Sequence, residues 1–142
     1  MSLDFGVSPD PVRVVHRHVS RLLPDEDQDM LHLFHLPDGY NTHKNGTAIV
    51  VSEDVGQVDG AGHSRDGVTV SVYSPVYEEA RRLGRNLYTA LTQGVTGIGL
   101  GVSRQRSVFY GAGPSYTPTG FVSTMTISVG LSRFFATLRK GE

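Results

Sequence analysis

The chain has 142 residues, a net charge of −1, 38% hydrophobic and 19% charged residues, which is the size and balance of one domain. The charge gives no basic bias for phosphate-driven nucleic-acid binding. The absence of cysteine excludes a disulfide framework, a thiol nucleophile and a thiolate metal site. Folding at this length buries only about 68% of the unfolded surface, so a partner that covers more of the chain would stabilise it.

Residues 1–8 carry neither the basic region nor the apolar stretch of a secretory signal, and they read as a loose arm. No apolar run approaches the ~20 residues of a membrane span, so a cytoplasmic chain without a membrane partner is expected. Asp10-Pro11 then starts a helix. Asp10 caps the first free amides and Pro11 suits the first helical position. Val12, Val15, Val19 and Leu22 recur at helical spacing as one apolar stripe, and Pro24 ends the helix near Leu23.

Asp25-Glu-Asp27 suits the positive end of a second helix. The run Met30-Leu-His-Leu-Phe-His-Leu36 before the turn Pro37-Asp-Gly39 is short enough to be helix or strand; strand is favoured. Residues 41–46 form a polar loop. Thr47-Ala-Ile-Val-Val-Ser52 is an unbroken apolar run and predicts a central strand. A long loop follows over residues 53–67, with Gly56, Gly60, Gly62 and Gly67; structureless loops of such length are often functional.

Val68-Thr-Val-Ser-Val-Tyr73 alternates as a strand. Ser74-Pro75 opens the longest helix, running to about Thr92, with Glu78 and Glu79 near its positive end. Val76, Ala80, Leu83, Leu87 and Leu91 predict its buried face, and Gly84 marks a close approach to the sheet. Gly94 ends it. Residues 95–102 read as irregular, residues 104–110 as a strand, and residues 111–120, with Gly-Ala-Gly-Pro and Thr-Pro-Thr-Gly, as a broad loop. The clearest strand is 121–131. Phe121, Met125, Ile127, Val129 and Leu131 face one way, and Val122, Thr124, Thr126 and Ser128 the other. Residues 133–142 form a tail. The expected class is α+β: one domain over 1–142, with a mixed or antiparallel sheet packed against two main helices.

Chemistry is hard to place on this frame. His16 and His18, two apart on a helix, do not face each other. His32 and His35 point to opposite faces of a strand. His63, Ser64 and Asp66 lie in a glycine-rich loop and not in a framework that fixes a catalytic triad. Gly97-Ile-Gly-Leu-Gly101 follows a helix and precedes a strand, the reverse of a phosphate-binding loop. No catalytic residue, cofactor site or metal site is therefore assigned. Arg81, Arg82 and Arg85 lie off the apolar face of the long helix, where solvent or a subunit contact would meet them. Arg104 and Arg106 with Tyr110 and Tyr116 resemble a small basic–aromatic patch.

The order of these segments resembles the tail-terminator, or tail-completion, family of long-tailed bacteriophages, including those of actinobacterial hosts. The resemblance spans roughly residues 9–132. It runs from the Asp10-Pro11-Val-Arg-Val-Val helix ending at Leu22-Leu-Pro24, through Ala48-Ile-Val-Val51 and its glycine-rich sequel. It continues with Val68-Thr-Val-Ser-Val72, then Glu78-Glu-Ala80-Arg-Arg-Leu83 and Leu87-Tyr-Thr-Ala-Leu91, and closes on Gly120-Phe and Thr126-Ile-Ser-Val129. It implies a virion protein, not an enzyme, assembled in the host cytoplasm. The expected assembly is a homo-oligomeric ring, usually a hexamer, that caps the finished tail tube and meets the head–tail connector. DNA would pass its lumen without specific binding. Rings of this kind need heterologous, closing interfaces. The expected contact or lumen residues are Glu53, Asp54, Asp59, His63, Arg65 and Asp66 of the first loop, Arg81 and Arg85 of the helix, and Tyr116 of the second loop. The acidic Glu53, Asp54 and Asp59 would keep the lumen from holding DNA. The alternatives are a connector, neck or tube subunit and, from another class, a small ligand-binding or enzymatic α+β domain.

Overall fold

A computed structural model describes residues 10–53, 65–93 and 100–131. Its order is α1 (Pro11–Leu22), a 3₁₀ turn (Asp25–Met30), β1 (Leu31–Leu33), α2 (Thr42–Asn45), β2 (Ala48–Glu53), β3 (Arg65–Ser74), α3 (Tyr77–Gln93), β4 (Leu100–Tyr116) and β5 (Thr119–Leu131). The five strands form one sheet in the order β1-β2-β3-β5-β4. β1 runs parallel to β2 and every other pair is antiparallel, so the sheet is mixed and the protein is α+β.

Local sequence sets the helix ends. Asp10 Oδ1 accepts the Val12 amide at 3.0 Å and Pro11 takes the first helical position, where no amide is needed. At the other end of α1, Gln28 performs the capping. Its Nε2 donates to the carbonyls of Ser20 (2.7 Å) and Leu23 (3.0 Å), and its Oε1 accepts from Ser20 Oγ (2.7 Å). Two carbonyls at the helix end are thereby satisfied by a side chain from the following turn.

Both long helices lie on the same face of the sheet. Val12, Val15 and Val19 of α1 and Leu87 and Leu91 of α3 join Ile49, Val51, Val68, Val70, Val72, Met125, Ile127 and Val129 in one buried cluster. Register explains why these strand residues meet: Val51 lies opposite Val70, and Val70 opposite Met125. Alternation does the rest. The alternation expected for β5 is observed, with Met125, Ile127 and Val129 fully buried beneath the helices. Gly84 lets α3 settle on β5, where Ser123 Oγ donates to the Ala80 carbonyl at 2.7 Å.

Several expectations need correction. The helical stripes are shorter than their periodicity suggests, because Leu22 (42%) and Val76 (53%) are exposed. Val76 precedes the first turn of α3: Ser74 closes β3, its Oγ accepts the Val76 amide, and the helix proper begins at Tyr77. Residues 41–46 are not a loop throughout, since Asn41 caps the short α2 through the His43 amide and Gly46 closes it with φ +89°. Both readings of residues 25–36 were partly right: a 3₁₀ turn leads directly into a three-residue strand.

The largest correction concerns residues 111–120. They form the end of a long β4–β5 hairpin, paired through Tyr116 and Thr119 and closed by a turn with a cis Thr117-Pro118 bond. Register shifts between Ser103 and Val108, and again between Phe109 and Gly111, break the two-residue period of β4. Likewise, residues 65–67 belong to β3 and not to the preceding loop, with Arg65 opposite Gly130 and Asp66 opposite Val129.

Candidate functional site

The face opposite the helices carries a groove of about 390 Å³. β2 and β3 supply its floor through Val50, Ser52, Ser71 and Tyr73, the alternate positions to those in the core. The segment from Phe34 to Tyr40 forms one wall, and Thr117 and Pro118 of the hairpin turn form another. The groove therefore joins four separate stretches of the chain.

Phe34 is held unusually. It has φ +72°, and His35 N donates to Leu33 O at 2.9 Å, closing a three-residue turn around it. Left-handed backbone is disfavoured for a bulky side chain. The turn stops β1 after three residues and carries the chain away from the sheet, while the Phe34 amide still bonds to Val51 O at 2.8 Å. The Arg13 guanidinium lies 5.4 Å from the centre of the Phe34 ring and also meets Asp10 at 3.5 Å.

Tyr40 is anchored by donating to Gly46 O at 2.9 Å, and its ring meets that of His32 edge-on, with centroids 5.8 Å apart. Burial pushes the hydroxyls of Tyr40 and Tyr73 above the usual phenol range, which keeps both as neutral donors. His32 Nε2 is buried without a hydrogen-bond partner, and burial lowers the pKa of the ring. A neutral imidazole nitrogen tolerates that position far better than an imidazolium would. The same direction holds for His16 and His18, first by burial and then through Arg13 and Arg21 respectively.

The expected contact residues fall at opposite ends of the sheet. Glu53 is exposed at the end of β2, opposite Val68, which is itself level with Ile127. Arg65 and Asp66 begin β3 at that same end. Tyr116, 86% exposed, lies at the hairpin tip opposite Thr119. From Ile127 to Thr119 along β5 is about 27 Å at the usual strand rise. Arg81 and Arg85 are exposed on α3. Asp54, Asp59 and His63 lie outside the described residues, as does Ser64. Within one subunit, then, Tyr116 does not meet the acidic end.

His32 and His35 do not converge either. His32 faces Tyr40 from β1, whereas His35 lies beyond the turn, exposed, with Nδ1 3.1 Å from Leu36 O. Among the described residues no group of three His, Cys, Asp or Glu side chains is placed to hold a metal, and no helix is long and apolar enough to cross a membrane.

Sequence reasoning missed the groove altogether. One signal was present: an apolar run, Leu31 to Leu36, that breaks into Pro37-Asp-Gly39 with aromatics on both sides. Comparison of the chain with protein-family models and with curated proteins finds no match.

Proposed function

We propose that this chain is a structural virion subunit, not an enzyme, that self-associates into a ring closing a bacteriophage tail tube at its head-proximal end. The observation that carries the proposal is the sheet face away from the helices. On β2, β3 and β5 the register places Ser52, Thr69, Ser71, Tyr73, Val122 and Thr124 on that face, all partly exposed and uncharged, beside the buried Ala48, Val50, Thr126 and Ser128; Arg65, at the first position of β3, is the one charged residue in the same register. Charged residues make up 19% of the chain, and a sheet face left to solvent ordinarily carries its share. A largely neutral face of hydroxyl and β-branched residues suits packing against another protein surface. The family resemblance in segment order supplies the kind of assembly.

In this reading the two ends of the sheet serve different partners. The end of the sheet at Glu53 faces the DNA path or the connector. The hairpin tip at Tyr116 and the arginines of α3, Arg81 and Arg85, meet a neighbouring subunit or the tube. DNA passes without specific contact.

A charge placed on the neutral face tests this. Thr69→Glu and Thr124→Lys, both at half-buried positions, are expected to retain the far-ultraviolet spectrum of the parent and lose ring formation. Rings that persist in both variants would remove the basis of the proposal. A connector, neck or tube subunit would use the same face, and the partner that co-purifies, connector or tube protein, separates those roles.

A further inference from the structure

The groove beside Phe34 has features that point to its occupant. Its lining is rich in aromatic residues and proline, through Phe34, Tyr40, Tyr73 and Pro118, while Ser52 and Ser71 offer hydroxyls from the floor. No Lys or Arg lines it, and its single formally charged residue is Asp38. His35 adds an imidazole to the lining, and the Arg13 guanidinium stands on the Phe34 ring, 5.4 Å from its centre. An extended segment with aromatic anchors and positive charge would find matching partners: ring faces and edges for the anchors, hydroxyls for its backbone, and Asp38 for the charge.

The chain itself contains such a segment. Beyond β5 it reads Ser132-Arg-Phe-Phe-Ala-Thr-Leu-Arg-Lys140, with Phe134 and Phe135 between Arg133 and Arg139. We propose that the groove receives Phe134 and Phe135 of a second copy of this chain, so that neighbouring subunits exchange their tails.

Chain length decides between the subunit's own tail and a neighbour's. The tail leaves the sheet at Leu131, while Tyr73 of the groove floor is level with Val122. Along β5 that separation is about 30 Å. From Leu131 to Phe135 a fully extended chain spans at most about 14 Å. The hairpin side of the groove is farther still, since Thr119 lies about 40 Å from Leu131 along β5. The floor at Ser52, level with Thr126, is nearer, about 17 Å along β5 from Leu131 and two strands away; the aromatic lining at Tyr73 and the hairpin side at Pro118 lie beyond the reach of the subunit's own Phe134 and Phe135. Linking one copy's tail to the next copy's groove is a heterologous contact, the type that generates rings or filaments. The inference does not depend on the tail-end ring, because any self-assembly of the chain could use it.

The chain has no cysteine, which makes the test simple. In the full-length double variant Thr117→Cys/Ala136→Cys, one thiol lines the groove and the other follows the phenylalanines. The two cannot meet within one chain, because Leu131 to Ala136 spans at most about 18 Å. Mild oxidation is expected to yield reducible covalent dimers and larger species. Adding Phe134→Ser and Phe135→Ser is expected to cut that yield at least tenfold. No interchain link, or a yield unchanged by the serine substitutions, overturns the inference. Rings that form without the link would overturn tail exchange alone. Links in the absence of any ring would overturn the ring reading alone.

Discussion

Gly84 of α3 lies directly over Ser123 of β5, so close that a Cβ on Gly84 would collide with Ser123 Oγ, stand 2.9 Å from Ser123 Cβ and 3.2 Å from Phe109 Cε1. Helix propensity alone predicts that Gly84→Ala stabilises the chain by about 1 kcal/mol. The contact with the sheet predicts the opposite sign, because overpacking at a close interface costs about 1–3 kcal/mol. Gly84→Ala is therefore expected to lower stability in urea titration. Gly84→Ala/Ser123→Gly is expected to be more stable than the sum of the two single changes allows, since each single variant harms what the other accommodates.

A second prediction concerns the hairpin tip. Thr42 is buried, and its Oγ1 donates to Thr119 O at 2.7 Å, joining α2 to β5 across 77 residues of sequence. Thr42→Val keeps the shape and leaves the Thr119 carbonyl without this donor. The expected loss is about 1–3 kcal/mol. Thr42→Ser retains the donor and should cost less. Amide exchange near Thr119 is expected to quicken in the valine variant and remain closer to the parent in the serine variant.

Gln28 offers a test in which charge decides the outcome. Its amide donates to two carbonyls at the C-terminal end of α1. Gln28→Ala removes these bonds at about 1–2 kcal/mol, the usual scale for lost hydrogen bonds at a partly buried cap. Gln28→Glu removes the same donors and also places an anion at the negative end of a helix, so at pH 7 it should be at least as destabilising. Protonating the glutamate restores a donor. The deficit of Gln28→Glu relative to Gln28→Ala is expected to shrink between pH 7 and pH 4, as read by thermal melting.

Acidity should also weaken the parent. Burial lowers the folded-state pKa of His32, His16 and His18 below the unfolded value near 6.5. Above that value all three are neutral in both states, and their contribution is constant. As the pH falls below it, the unfolded chain takes up protons first and folding loses free energy, until the folded-state pKa values are passed. The melting temperature is expected to fall below about pH 6.5. His32→Phe should flatten that slope, because the ring has no partner at Nε2 to lose. An unchanged slope would show that His32 does not contribute.

Much of the fold was legible because local chemistry and register agree. Asp10-Pro11, the Val12–Val15–Val19 spacing, the apolar run of β2 and the alternation of β5 each map onto what forms. β4 was only partly legible. Extra residues between Ser103 and Val108, and at Tyr110, shift its side chains out of a two-residue period. Gly111, with φ +93°, Gly113 and Pro114 then read as loop residues, although the long partner β5 keeps them in the sheet. The groove was illegible for a different reason. Phe34, Ser71 and Pro118 are far apart in sequence, and only the order β1-β2-β3-β5-β4 and the hairpin turn place them together. The neutral sheet face was visible in part, in the Val122, Thr124, Thr126 and Ser128 alternation, but its extent depends on the pairing of β5 with β3.

Assembly into a ring is what the proposed function requires of this chain. Electron microscopy of the purified 142-residue chain, over a concentration series and with a candidate tail-tube protein present, tests the proposed assembly most directly. Closed rings of one size seated at the end of the tube are expected, hexamers if the family resemblance holds. A chain that stays monomeric throughout that series and leaves tube ends uncapped would contradict the proposed assembly.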